Sequence, residues 1–424
     1  MLLPCHGKIV DWCIHLGVFI LLLAFAKERY SLFCAVINNV LMQSFDMAEF
    51  VRAVEGKTIL IVPKSSLTAK VPSKIPAFFN PAAKLNRDLS ILAYSAFSAL
   101  SFGKKTFADS FTGIGARALR VAVEVPEIEQ VYCNDINSIA VEAAKEAAKL
   151  NSITSRCHFS IDEVCKFLLK GDKEGNRFSI VDLDPFGTPA RHVDCVLRSV
   201  LDGGLVSITA TDTAVLWGVY PKVCLRRYYG RPLNNSYGNE TAIRLLLSLA
   251  ALTASRLELA IKPVFVHSTK HYLRVYTKMS VSSSQANDVY KSIGYIMHCF
   301  QCGHRFNIQE YGKGKCELCN TSLAVGGQLW TGPLHDKEFI KKMLEQNPDR
   351  QCKKVLEAAM EEASEIPYYF RADEISSKLK SNTHSVQRIL EKLHAAGFVA
   401  SKTALNTSAF KTNARIDSIL DVLS

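Results

Sequence analysis

No apolar stretch in this 424-residue chain reaches the roughly 20 residues that cross a bilayer. The strongest one, Trp12–Ala26, is 15 residues long. It is preceded by Asp11, and residues 1–46 carry three basic and three acidic side chains. Three readings of residues 1–46 stay open: an extension ahead of a start at Met47, a targeting segment (Ala24-Phe25-Ala26 mimics a cleavage site), or a structural helix. No stable membrane association is expected, and the remainder reads as cytoplasmic, with a nucleus or organelle open for a eukaryotic chain. A small-domain disulfide framework is also missing. Thirteen cysteines in so long a chain, an odd number, fit a reducing compartment better than a disulfide scaffold. Nor is there the charge excess of a disordered chain, since 48% of residues are apolar and 21% charged. The length suits two or three domains.

What is present is unevenly distributed. Residues 47–214 carry 20 basic against 19 acidic side chains, residues 215–340 carry 15 against 7, and residues 341–424 carry 13 against 11. Most of the net charge of +11 therefore falls in one block. That block is either a polyanion-binding face or a solvated basic surface.

From Glu55 a strand (through Pro63) and a turn-rich stretch lead to an apolar-periodic helix over about Leu89–Leu100. Strands and helices then alternate. Strands end at Asp109, Asp135, Asp162 and Asp184, and a fifth covers Gly204–Asp212. Intervening helices cover Gly115–Val125, a segment capped by Ser138, a segment closed by Gly171, and Ala190–Leu201. This alternation predicts an α/β fold with a doubly wound parallel sheet, whose functional groups sit at the carboxyl ends of its strands. Beyond Asp212 the sequence predicts a basic aromatic loop, a helix over Asn239–Leu257, and paired strands at Ala260–Ser268 and His271–Val281.

Four acids at four successive strand ends form a pattern. DSFTGIG (Asp109–Gly115) puts two glycines at a strand-to-helix turn, where backbone N–H groups face a ligand. Asp135 is placed to accept from ribose hydroxyls. Ala118 stands where dinucleotide enzymes carry their third glycine, and no pair for hydride transfer accompanies it. Asp162 is either an adenine contact or a helix cap. Asp184-Pro185-Phe186 resembles the end of the fourth strand in S-adenosylmethionine enzymes that methylate exocyclic amines. There an acid accepts an N–H bond from an amine whose lone pair is delocalised, and an aromatic face stacks on a splayed base.

Cys299-x-x-Cys302 and Cys316-x-x-Cys319, with 13 residues between the pairs, have the spacing of a closed, structural four-thiolate zinc site. A redox role for the pairs is the alternative. RRYYGR (Arg226–Arg231) interleaves guanidinium groups with Tyr228 and Tyr229, as an RNA contact or as a solvated loop. Residues 348–405 have winged-helix spacing, used for nucleic acids or for protein partners.

Taken in order, FFNP, LNRDL, DSFTGIGARALR, CNDIN, DLDPFGTP, TATDTAVLWGVYPKVCLRRYYGRPL, the cysteine pairs and LWTGPLHDKEF resemble the tRNA guanine-26 N2-dimethyltransferases from about Glu55 to Phe339. The resemblance implies S-adenosylmethionine as donor, a tRNA guanine N2 as acceptor, and a zinc ion. It implies a Rossmann-like methyltransferase domain over 47–280 and a tRNA-binding α+β domain over 281–424, with a zinc ribbon (295–330) and a winged-helix-like region (348–405). By motif it suggests Arg87, Arg117, Asp135, Asp162 and Glu163 around the donor, to which the strand-end pattern adds Asp109. It suggests Asp184 as acid/base and Phe79 and Phe186 bracketing the guanine, while the RRYYGR stretch itself offers Arg226, Arg227, Tyr228 and Arg231 to RNA. Methylation of another exocyclic amine, or a non-catalytic zinc-ribbon and winged-helix regulator, are the rival readings.

Overall fold

A computed structural model describes residues 47–424 apart from 102, 104, 174–176, 270 and 364. The expectations for residues 1–46 lie outside the described residues. Residues Glu49–Ser424 form one compact unit.

The unit opens with a hairpin, β1 (Phe50–Glu55) and β2 (Thr58–Pro63), where a single strand was expected from Glu55. Gly56, at φ +59°, makes the turn that divides them. Asn80 accepts from Ala82 N and caps a short 3-10 turn, so α1 (Lys84–Leu100) begins five residues before the predicted Leu89. Next come β3 (Thr106–Asp109), α2 (Ala118–Glu124), β4 (Gln130–Asn134), α3 (Ser138–Leu150), β5 (Cys157–Ser160), α4 (Val164–Lys173), β6 (Phe178–Leu183), α5 (Val193–Arg198) and β7 (Val200–Ala210). Asn137, not Ser138, caps α3, its side chain accepting from the N–H groups of Ile139 and Ala140. The helix predicted to close at Gly171 continues to Lys173.

The basic segment expected as a loop is largely helical, α6 (Pro221–Tyr228), started by Pro221 at a position where its missing N–H costs nothing. Helix α7 (Gly238–Ser255) is buried on nearly every side, as its long apolar run requires. It leads to the antiparallel pair β8 (Leu259–Ser268) and β9 (Leu273–Val281).

The central sheet has the order β5-β4-β3-β6-β7-β9-β8. Its first five strands are parallel, and β9 and β8 extend it antiparallel. Every residue of β6 is buried, the pattern of a strand covered on both faces. Strand order reverses between β3 and β6, which opens a crevice at their carboxyl ends.

Beyond it, β10 (Ile293–His298), β11 (Arg305–Ile308) and β12 (Ala324–Trp330) form an antiparallel sheet. Then follow α8 (Lys337–Leu344), α9 (Arg350–Glu361), β13 (Phe370–Arg371), α10 (Ala372–Leu379), α11 (Val386–Ala395), β14 (Ala400–Lys402), β15 (Ala409–Thr412) and α12 (Ile416–Leu423). Strands β13, β15 and β14 pair antiparallel, and their apolar faces close with α10, α11 and α12 over Phe370, Ile375, Ile389, Leu393, Phe410 and Ile419. The main core runs without a break from β6, β7 and α7 into Ile296, Trp330 and Leu405. Cys165 of α4 and Cys195 of α5 are joined by a disulfide, which the cysteine count did not anticipate. Among the described residues no helix is long and apolar enough to cross a membrane.

Candidate active site

The parallel strands bring Asp109, Asp135, Asp162 and Asp184 to one edge of the sheet, each at or just past the carboxyl end of its strand. Two glycines make the first turn possible. Gly113 and Gly115 adopt φ +53° and +81°, and a Cβ on Gly115 would lie 2.9 Å from Leu119 and 3.1 Å from Ala144. Helices α2 and α3 therefore meet here at a closeness only glycine permits. Gly113 N donates to one oxygen of Asp135 at 2.8 Å and Asn137 N to the other at 2.9 Å. This fixes the carboxylate and leaves each oxygen a further lone pair for a ligand hydroxyl. Ile136 is 72% exposed, and Ile161 also stands out from the next strand end, so two apolar side chains flank the same mouth.

The middle of the edge is a charge cluster. Asp109 and Asp182 are register partners on β3 and β6. Asp182 is fully buried and accepts from Tyr94, from Arg274 of β9, and from Arg117 at 3.1 Å. Arg117 also pairs with Asp184 at 2.7 Å, and Arg274 lies 3.9 Å from it. Burial opposes ionisation of Asp182, but Arg117 and Arg274 outweigh it and hold the carboxyl below its usual range. Three carboxyl groups thus face two guanidinium groups. The least compensated one is Asp109, whose hydrogen bond among the described residues is an N–H from Phe111 at 3.3 Å. Burial first, and then the negative charge of Asp182, push its carboxyl up to about 8. Arg117 Nε is buried without a partner among the described residues. A ligand bringing positive charge to Asp109 and an acceptor to Arg117 would complete the cluster, and S-adenosylmethionine, with its sulfonium, ammonium and carboxylate, has that donor set.

The other expected donor contacts are engaged within the protein. Arg87 makes a bidentate pair with Glu55 at 2.7 and 2.6 Å. Arg120 joins Glu55, Asp88 and Glu124. Asp162 pairs with Lys166 and Lys170, both at 2.7 Å, and their hydrogen bonds hold its carboxyl below the usual range. Glu163 caps α4 by accepting from Lys166 N at 3.0 Å.

Phe186 is 53% exposed at the tip of the turn after β6. Phe78 meets it edge-on with ring centroids 4.8 Å apart, and Lys74 Nζ lies 4.2 Å from its centroid. Phe79, the expected partner in bracketing a base, is instead 5% exposed and lies under the Arg87 guanidinium. Its neighbour Phe78 is the one that meets Phe186, because adjacent residues of an extended chain point opposite ways. Gly187 N donates to Thr211 Oγ1 at 2.6 Å and Thr211 N to Gly187 O at 2.9 Å, tying the turn to the end of β7. Thr188 Oγ1 lies 2.8 Å from Tyr228 Oη, which donates to Asp212 at 2.6 Å. Tyr228 is therefore a buried strut of this turn and offers no open face to a base. Arg227 pairs with Asp212 at 3.1 Å, while Arg226 and Arg231 are exposed.

Residue reading missed Asp182 as a hub, together with Tyr94, Arg274 and Phe78. Asp182 had a signal, an acid two residues before Asp184 inside a buried strand, and so did Arg274, a charge inside the apolar segment LRVY. Tyr94 and Phe78 had none.

The four cysteines converge from two turns of the same design. Gly303 N donates to Cys299 O and Asn320 N to Cys316 O, both at 2.8 Å, and Gly303 and Asn320 both have positive φ. The sulfur atoms lie within 4.8 Å of one another, with Cys299 to Cys319 at 3.4 Å and Cys302 to Cys316 at 3.5 Å.

Residues 56–424 match the family described as N2,N2-dimethylguanosine tRNA methyltransferase. The tRNA (guanine(26)-N(2))-dimethyltransferase of Methanothermobacter thermautotrophicus is 35% identical over 378 residues, covering 87% of this chain and 97% of that protein. The tRNA (guanine(26)-N(2)/guanine(27)-N(2))-dimethyltransferase of Aquifex aeolicus is 33% identical over 374 residues, with 86% and 94% covered. A solved complex of Trm1 from Pyrococcus horikoshii with S-adenosyl-L-methionine superposes with a TM-score of 0.76 at 26% identity, over 88% of this chain and 99% of that one. The chain that carries this acid-lined sheet edge thus belongs to the N2,N2-dimethylguanosine tRNA methyltransferase family.

Proposed function

We propose that this protein transfers methyl groups from S-adenosylmethionine to the exocyclic N2 of guanine at position 26 of tRNA, giving N2,N2-dimethylguanosine. The observation that carries the reading is Asp184, held at 2.7 Å by Arg117 beside the exposed ring of Phe186, on the sheet edge that also presents Asp109 and Asp135.

When bound, S-adenosylmethionine supplies an electrophilic methyl group. Asp135 would hold its ribose, Ile136 and Ile161 its adenine, and Asp109 and Arg117 its charged amino-acid end. Arg87, Asp162 and Glu163 would support that pocket through the pairs they make within the protein. Phe186 would offer its exposed ring to the guanine, with Phe78 packed edge-on against it and with Phe79 and Arg87 in the layer behind. Arg117 fixes one oxygen of Asp184, so the carboxylate can accept an N–H of the guanine amine along one direction. Pulling that proton towards the carboxylate leaves more electron density on the nitrogen and localises its lone pair, and the proton released as nitrogen replaces the donor's sulfur on the methyl carbon passes to the Asp184 carboxylate. A single acceptor at this point serves both rounds, because monomethylated guanine keeps one N–H.

The remaining finer assignments follow the same reading. Zinc at Cys299, Cys302, Cys316 and Cys319 would be structural: zinc–sulfur bonds of about 2.3 Å need sulfur separations of about 3.8 Å, close to those here. Residues 47–280 would carry the chemistry. Residues 281–424, with a zinc ribbon and a winged-helix-like tail, would help hold tRNA together with Arg226, Arg227 and Arg231.

Mass spectrometry of nucleosides from tRNA treated with purified protein and labelled donor tests this directly. Labelled N2,N2-dimethylguanosine at position 26 is expected. Label on adenine, or none, would overturn the assignment.

A further inference from the structure

A second cleft lies outside the chemistry described above. It has a volume of about 320 Å³, between α5, the end of α6 and α7. Leu249 and Leu252 form its apolar floor, Arg227 and Arg256 stand at its walls, and Tyr229 stands at its rim, 65% exposed. Tyr229 ends α6 in the left-handed region, at φ +55°. An aromatic residue adopts that backbone at a cost, and here it displays a large ring to solvent. Among the described residues Arg256 pairs with Asp194 alone, at 2.5 Å, and both side chains are substantially exposed. Such a pair contributes little, so a stronger anion displaces the carboxylate readily. The surrounding segment, residues 215–340, carries the basic excess of 15 against 7.

We propose that this cleft receives one nucleotide of the tRNA other than the methylated guanine, its base stacked on Tyr229 over Leu249 and Leu252 and its phosphate at Arg256 and Arg227. The inference rests on tRNA being the substrate. Volume and lining suit one base, and a guanidinium beside an aromatic face is the pairing that unpaired nucleotides use. The cleft is also wired to the chemistry. Arg227 and Tyr228 share Asp212, and Tyr228 holds Thr188, two residues from Phe186. A nucleotide seated against Arg227 and Tyr229 therefore bears on the element that positions the catalytic turn.

The test uses the full chain, unfractionated tRNA, and calorimetry with S-adenosylmethionine. Tyr229→Gly removes the ring and relieves the left-handed backbone, so the fold is kept. It should weaken tRNA binding about tenfold or more. Tyr229→Phe should bind within about twofold of the parent, since the stacking face remains. Arg256→Gln should weaken binding and lower the log–log salt slope by about one. Donor affinity should not move in any of them. Parent-like tRNA binding by Tyr229→Gly, an unchanged salt slope for Arg256→Gln, or a common loss of donor affinity would each overturn the proposal. The parent's own activity separates the two readings: failure to methylate tRNA removes the substrate assignment, whereas normal methylation with indifferent variants removes only the cleft.

Discussion

Asp109, Asp182 and Asp184 set three carboxyl groups against Arg117 and Arg274, and the imbalance gives Asp109 and Asp184 different duties. Asp182 is saturated by Tyr94 and both arginines and holds the frame. Asp184 keeps part of its surface open, and the proposed reading sets the substrate amine against it. Asp184→Ala should therefore retain donor and tRNA binding but lose about 10²-fold or more in methyl transfer, measured by single-turnover incorporation; near-normal turnover would remove its assigned role. Asp109 carries the unmatched proton. Its carboxyl titrates near 3.9 in an unfolded chain and near 8 in the ligand-free fold, so the folded state holds more protons between those values. Its contribution to stability is full below about pH 4 and is lost as pH rises through about 8. Thermal scans of the ligand-free protein should show the melting temperature falling from pH 6 to pH 8.5, with the slope flattened in Asp109→Asn. Donor binding favours the ionised carboxyl and so should release a proton below pH 8, visible by calorimetry in buffers of differing ionisation enthalpy. An identical pH slope in Asp109→Asn would show that another group is responsible.

Elements were legible where periodicity and punctuation agree. The strand ends at Asp109, Asp135, Asp162 and Asp184 could be read because short apolar or aromatic runs stop at acids and a helical segment follows each, and one parallel sheet then aligns them. The α6 segment was misread because arginines, tyrosines and glycine resemble a loop, while Pro221 and the contacts of Cys224 and Tyr228 with the core fold it as a helix. Ser138 lost the cap to Asn137 because the chain leaves β4 one residue earlier, and Phe78 was hidden behind an identical neighbour. Long-range pairs such as Arg274 with Asp182, 92 positions apart, exist only once β9 is laid against β7. The cysteine pairs lie at the other extreme, since their spacing alone nearly defines the site. The second turn lies between β11 and β12, outside any strand, so the metal is expected to hold it against the first. Cys299→Ala should abolish stoichiometric zinc by atomic absorption and expose residues 293–330 to limited proteolysis. Unchanged metal content would show that these thiolates hold none.

Across the whole molecule, the catalytic sheet and the C-terminal sheets are joined through buried charge as well as through the common core. Glu240 at the start of α7 pairs with Arg244 at 2.7 Å and with Lys411 of β15 at 2.8 Å. Lys411 also pairs with Glu362 at 2.8 Å and donates to Ile366 O at 3.0 Å, and Arg244 donates to Trp330 O and Gly332 O. The ionic groups of Lys411, Glu240 and Glu362 are almost wholly removed from water. Such a cluster adds little net stability when complete, but removing Lys411 takes the lysine from buried Glu362 while Glu240 keeps Arg244, and a buried carboxylate left so costs about 3–5 kcal/mol. Lys411→Met should therefore lower the unfolding free energy by about that amount in denaturant titrations. Lys411→Met with Glu362→Met should recover part of the loss, because the carboxylate left alone is then removed as well. If the C-terminal sheets help to hold tRNA while the parallel sheet holds the donor, loosening this joint should raise KM for tRNA and leave donor affinity unchanged. A double variant less stable than Lys411→Met would show that packing, not stranded charge, dominates at the joint. Equal losses of tRNA and donor binding would show that the two regions act as one.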